Sequence, residues 1–188
     1  ACEPEADTGM RDDAAVAHNC HSVEHQGDAY SICSYSIAEH DIRLFHSDAS
    51  GTPFFQFSTL ERELDEQGET LVFAMNGGMY HEDRRAVGVF IADFKEQSRI
   101  VTREGPGNFA LLPNGVFCVA NQEARVIESR TFAADPPACR IATQSGPMLV
   151  IDGALHPRFL PDSTSRYIRN GVGTSVDGKR AVFAISND

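Results

Sequence analysis

At 188 residues, 41% of them hydrophobic and 23% charged, the chain has the length and composition of one globular domain with a single substantial core. A formal net charge of -11 argues against nucleic acid or an anionic membrane surface as a partner. No apolar run approaches the roughly 18 residues that a membrane-spanning helix needs.

The first seventeen residues are acidic, small and poorly apolar, and read as a flexible tether (residues 1–17) ahead of a domain over 18–188. No basic, apolar leader is present, so the chain reads as mature, with a leader already removed. Cys2 fits the lipid-carrying cysteine of a bacterial lipoprotein, which would tether the protein to a membrane, or else is a stray thiol in the tail. Cys20 and Cys33 flank a turn signal at Gly27-Asp28 between two strand-like pieces. A hairpin there would bring the two sulfurs within bridging distance. Cys118 and Cys139 form a second, less supported pair. Four such cysteines favour an exported, oxidising compartment. The rival use of Cys20, a metal site with His18, His21 and His25, has irregular spacing, and neither a metal nor a cofactor is expected.

β-type segments follow at 29–37 and 42–46. Ser58-Thr59-Leu60-Glu61 has the form of a capping box and predicts a helix to about Gln67, with Leu60 and Leu64 on one face and Gly68 as its stop. The continuous apolar run 71–75 predicts a buried strand. Further strands are expected at 87–92, 99–102, 115–120 and 124–128. Strands 148–151 and 155–156 are joined by Asp152-Gly153, and strands 172–176 and 181–186 by Asp177-Gly178; both pairs are hairpin signals. The predicted fold class is α+β: a strand-rich single domain with a large twisted mixed β-sheet and few helices.

Three loops between these strands carry the chemistry. Asn76-Gly77-Gly78 ends the apolar run 71–75, where two glycines let a ligand approach main-chain N–H groups. A second loop runs from Gly105 through Asn108 to Asn114. The third is the most informative: Gln144, Ser145, Gly146 and Pro147 precede a short apolar strand, and an irregular run with His156, Arg158, Asp162, Ser163, Arg166, Arg169 and Asn170 follows it. A basic patch from Arg158 to Arg169 in an acidic chain suits a small anion such as a phosphate or carboxylate better than a polyanion.

The segments FAMNGGMY, GPGNFALLPNGVF, ATQSGPMLVIDG and LHPRFLPDSTSRYIRNGVG resemble the motifs of the phosphodiester glycosidase family, in consistent order from about Cys20 to Asp188. The resemblance implies a mixed sheet with a site built from loops at its edge. It also implies a hydrolase that cleaves the glycosidic bond of a sugar-1-phosphodiester, with a sugar-phosphate or glycan as its ligand. A periplasmic or cell-envelope location and a role in exopolysaccharide metabolism follow from the bacterial branch.

By motif match, Asn76, Gly77, Gly78, Asn114, Gln144, Ser145, Gly146, Arg166, Arg169 and Asn170 are the substrate-binding candidates. Arg166 and Arg169 would hold the phosphate through their guanidinium forks. Glycoside cleavage usually uses two carboxyl groups, and Glu82 and Asp162 are the candidates nearest the motif loops. Asp152 and Asp177 read as turn formers. In the family a further segment with an Asp-Gly-Gly/Ser motif normally follows, so the domain is expected to lack its C-terminal segment and the catalytic carboxylate to lie beyond Asp188. The other reading is a carbohydrate- or phosphate-binding envelope protein without turnover.

Overall fold

The computed structural model describes residues 19–160 and 167–187. In chain order the elements are β1 (Cys20–His25), β2 (Asp28–Ser36), α1 (Phe57–Glu66), β3 (Phe90–Ala92), β4 (Lys95–Ser98), β5 (Gly115–Ala120) and β6 (Glu123–Glu128). They continue with α2 (Ser129–Ala134), β7 (Ile141–Ser145), β8 (Val150–Ile151), β9 (Ala154–Leu155), β10 (Asn170–Thr174) and β11 (Arg180–Ser186). The α+β, strand-rich class holds. The strands do not form one large mixed sheet, however. They divide into a four-stranded sheet in the order β1-β2-β11-β10, a five-stranded sheet in the order β4-β3-β7-β5-β6, and the small ribbon β8-β9. Every strand pairing described is antiparallel.

Alternation along β5 shows how the layers are assembled. Phe117 and Val119 face one side, where they join Cys33, Tyr35, Ile141, Ala181 and Phe183 in the core between the two large sheets. Val116 and Cys118 face the other side, where Val89, Phe132 of α2, Cys139 and Ala142 form a second core. Phe183 on β11 packs against Phe73, Phe117 and Tyr35 at centroid distances of 5.1, 6.2 and 6.2 Å. The two layers also meet at their hairpin ends, where the Ala124 N–H donates to the Gly178 carbonyl at 2.8 Å.

Four two-residue turns have both central residues at positive φ, the geometry that matches strand twist in a hairpin: Gln26-Gly27, Asp93-Phe94, Asn121-Gln122 and Asp152-Gly153. Asp152-Gly153 is the turn read from sequence, and Gln26-Gly27 lies one residue before the expected position. The Asp93-Phe94 turn has no glycine to announce it, so β4 lies at Lys95–Ser98 and not at 99–102. Asp177 closes a longer loop. Its carboxylate accepts from the Ser175 hydroxyl at 2.6 Å and the Lys179 N–H at 3.0 Å, and these bonds hold it below the usual carboxylate range.

Helix α1 buries Leu60 and Leu64 and stops at Gly68, whose φ is +76°, as its sequence implies. The capping box does not form. The helix starts one residue before Ser58, with Gln56 at the N-cap and no side-chain cap bond. Helix α2, six residues long, gives no periodic signal. It is capped by Glu128, whose carboxylate accepts from the Thr131 N–H at 2.8 Å. Burial opposes that charge, but the N–H groups of Arg130 and Thr131 outweigh it and hold the carboxyl below its ordinary range.

Two expected strands are absent. Segments 42–46 and 71–75 run without ladder pairing, and Val72 is exposed. Leu44, Phe73 and Met75 still pack on the central core. Apolar content sends a segment to the core, but a strand also needs a neighbour with free N–H and C=O groups.

Both cysteine pairs are disulfides, Cys20–Cys33 and Cys118–Cys139. The first spans the register pair of β1 and β2 and removes Cys20 as a metal ligand. Among the described residues no group of His, Cys, Asp or Glu could hold a metal ion, and no helix is long and apolar enough to cross a membrane. Two disulfides are compatible with export to an oxidising compartment.

Truncation of the interlayer ring, Phe183→Ala, is expected to cost about 3–5 kcal/mol of unfolding free energy, read by chemical denaturation. A loss below about 1 kcal/mol would mean that the two sheets are not joined through this residue.

Candidate functional site

Strand β7 carries its polar end into the protein. The Gln144 side chain is 1% exposed and Asn114 0%. Gln144 Oε1 accepts from the N–H groups of Val89 at 3.2 Å and Val101 at 3.0 Å. Its Nε2 donates to the Val101 carbonyl at 2.6 Å and to Asn114 Oδ1 at 3.2 Å. Asn114 Nδ2 donates in turn to the Phe109 carbonyl at 2.7 Å. A glutamine amide has two donor hydrogens and two acceptor lone pairs, and all four are used. Gln144 and Asn114 therefore do not orient a ligand. They add side-chain bonds to the β3–β7 and β5–β7 ladders and tie in the segment around Val101, which belongs to no strand.

Glycines make the same junction possible. A Cβ on Gly78 would lie 2.5 Å from Thr143 Oγ1 and 2.9 Å from the Gln144 carbonyl oxygen, and one on Gly146 would lie 2.6 Å from the Phe109 carbonyl oxygen. Gly88, unmarked in the sequence reading, would place its Cβ 2.2 Å from Gln144 Oε1. The close approach at these glycines is of chain to chain, not of ligand to chain. The three motif loops, 76–79, 105–114 and 144–148, do converge as expected, on the end of β7.

Beside this junction lies a cavity of about 320 Å³. Its walls come from residues 43–46, from 54–57 at the start of α1, and from the 75–80 loop with Arg84, Ala86, Phe90 and Thr143. Asn76 and Gly77 line it directly. Among the described residues its ionisable lining is Arg43, His46, Tyr80 and Arg84, with no carboxylate among them. In a chain of net charge -11 the charged side chains of this lining are arginines. Arg43 is already paired, with Asp41 at 3.3 Å and with Glu69. Arg84 is held differently: its guanidinium carbon lies 5.0 Å from the Tyr80 ring centroid and 5.5 Å from that of Phe55. His46 Nε2 donates to the Arg84 carbonyl at 3.0 Å and steadies that turn.

The remaining candidates stand elsewhere. Glu82 sits exposed on the turn between Tyr80 and Ala86, outside the cavity lining, so the structure does not bring it to the cavity as a catalytic carboxylate. Its neighbour Asp83 is paired with Arg85 at 2.7 Å, which holds that carboxyl below its ordinary range. Ser145 is exposed at the end of β7. Arg169 and Asn170 are exposed where β10 begins, and the Arg169 guanidinium lies over the Tyr167 ring at 5.0 Å. Arg166 and Asp162 fall outside the described residues. His81 is exposed. His156 is 2% exposed, and its Nδ1 accepts from the Arg158 N–H at 3.2 Å.

Sequence reasoning missed Arg84. Its signal is the cationic pair Arg84-Arg85 six residues after the Gly77-Gly78 motif, flanked by aromatic positions that only the fold brings together.

Replacement of the buried amide, Gln144→Leu, leaves two backbone N–H groups and one carbonyl without partners. A loss on the order of 3 kcal/mol in denaturant unfolding is expected, with Gln144→Glu no better tolerated at neutral pH. A near-neutral Gln144→Leu would show that the amide bonds do not hold the loops.

A family model described as phosphodiester glycosidase matches residues 69–188. The chain is also 33% identical over 145 residues to an Escherichia coli (strain K12) protein described as uncharacterized protein YigE, an alignment that covers 77% of this chain and 56% of that relative. The chain thus spans little more than half the length of the curated relative it matches. The match begins just before the Asn76-Gly77-Gly78 loop and includes the buried amide, the glycines around it and most of the cavity's motif-bearing wall. The chain belongs to the phosphodiester glycosidase family.

Proposed function

We propose that the protein is a hydrolase that cleaves the glycosidic bond of a sugar-1-phosphodiester in the bacterial envelope or periplasm. The observation that carries this reading is the convergence of the three family motif loops beside a cavity whose charged lining is cationic. A cationic, partly enclosed wall stabilises a phosphate as it departs, and a phosphate leaving group reduces the demand on a general acid. Asn76 offers its amide from the cavity wall to sugar hydroxyls. Ser145, Arg166, Arg169 and Asn170 are proposed as outer contacts to the same ligand, and Asp162 as the carboxylate that completes the chemistry.

One observation favours the second reading, a glycan- or phosphate-binding protein without turnover: no carboxylate lines the cavity among the described residues. A panel of sugar-1-phosphodiesters separates the two. Hydrolysis predicts release of free sugar from at least one member. Saturable binding of a member with no sugar released establishes the binding-only reading for it. On either reading Arg169→Ala is expected to weaken binding by at least about 1 kcal/mol, and unchanged affinity would remove Arg169 from the site.

A further inference from the structure

We infer that Arg84, clamped between Phe55 and Tyr80, is the seat for the phosphate group of an organic phosphate ester. Four observations converge on it. Arg84 lines a cavity large enough for a small ligand, about 320 Å³, with no carboxylate in its lining among the described residues. The Arg84 Nε is buried and has no hydrogen-bond partner. A buried donor without a partner is costly, and an oxyanion is the group that would satisfy it. Two rings 5.0 and 5.5 Å from the guanidinium carbon fix its position without consuming its N–H donors.

The fourth observation is the helix. The N-terminus of α1 lines the same cavity through Gln56 and Phe57, and it has no side-chain cap. The first N–H groups of a helix have no intrahelical partners, and the helix dipole adds to their preference for an anion. The uncapped N-terminus of this ten-residue helix therefore forms part of the wall of the cavity that Arg84 also lines.

The rim identifies the ligand as an ester and not the free ion. Phe55 is 62% exposed, Phe57 51% and Tyr80 45%. Exposed aromatic faces around a cationic centre suit a ring-bearing organic group attached to the phosphate.

The inference deepens the proposed function without depending on turnover. Phenyl phosphate carries no sugar, so its binding can succeed where every sugar phosphodiester fails as a substrate. The test titrates the protein with phenyl phosphate, inorganic phosphate and phenol, following the Arg84 Nε–H resonance by NMR and affinity by calorimetry. The expected result is a saturable shift of that resonance by phenyl phosphate, weaker binding of inorganic phosphate and none of phenol. Arg84→Gln should weaken phenyl phosphate at least tenfold, Arg84→Lys should recover part of the loss, and Arg125→Ala should leave binding unchanged. Equal affinity in a folded Arg84→Gln overturns the seat. Should that variant not fold, an unmoved Arg84 Nε–H resonance in the native protein at saturating phenyl phosphate overturns it as well. Inorganic phosphate binding as tightly as the ester overturns the ester assignment.

Discussion

Four hydrogen bonds at one buried carboxamide hold together the end of this protein where the motif loops meet. Gln144 sits near the end of β7, where the ladder gives way to loops, and its side chain extends the pairing beyond the strands. It satisfies Val89 and Val101 from one side and Asn114 from another, and Asn114 passes the connection to Phe109. Each partner is a buried or half-buried polar group that would otherwise destabilise the fold. The amide is neutral, so this junction forms without a buried charge. Glycines at 78, 88 and 146 let three backbones approach it, and any side chain there would collide with it or with its neighbours. The loops are thereby made into a wall, which a site built on loops requires if it is to be preorganised.

Against that wall the charge distribution becomes specific. The protein is strongly acidic, yet among the described residues its cavity is lined by Arg43, His46 and Arg84 and by no carboxylate. Arg43 is neutralised by Asp41 and Glu69 and ties 41–43 to the chain beyond α1. Arg84 is held by aromatic faces, which constrain its position without neutralising it. The difference separates a cation that supports the fold from the one we propose meets a ligand.

The sequence was legible where a rule acts over short range. β5 is found at its expected bounds and β2, β6 and β11 within one residue of theirs, because alternation and apolar runs follow from burial of a sheet face. The stop at Gly68, the Asp152-Gly153 turn and the Cys20–Cys33 bridge also follow from local chemistry. What failed was non-local. The 71–75 run looks like a strand because apolarity reports burial and not pairing. The turn at Asp93-Phe94 places Phe94 at positive φ, a conformation that a bulky residue rarely adopts, and tertiary contacts override the preference. Gln144 and Asn114 stand out in the sequence as polar motif residues, but a lone sequence cannot distinguish an amide facing a ligand from one facing neighbouring backbone. Arg84 was invisible because its meaning depends on Phe55, twenty-nine positions away.

The central claim is that the cavity beside the Asn76-Gly77-Gly78 loop is where the anionic ligand sits. A crystal structure of the protein with a bound, unhydrolysed sugar-1-phosphodiester or its analogue tests this most directly. The account predicts phosphate oxygens within about 3 Å of the Arg84 guanidinium, with the organic part against Phe55 and Tyr80. A ligand bound at Arg169 with the cavity empty would contradict it.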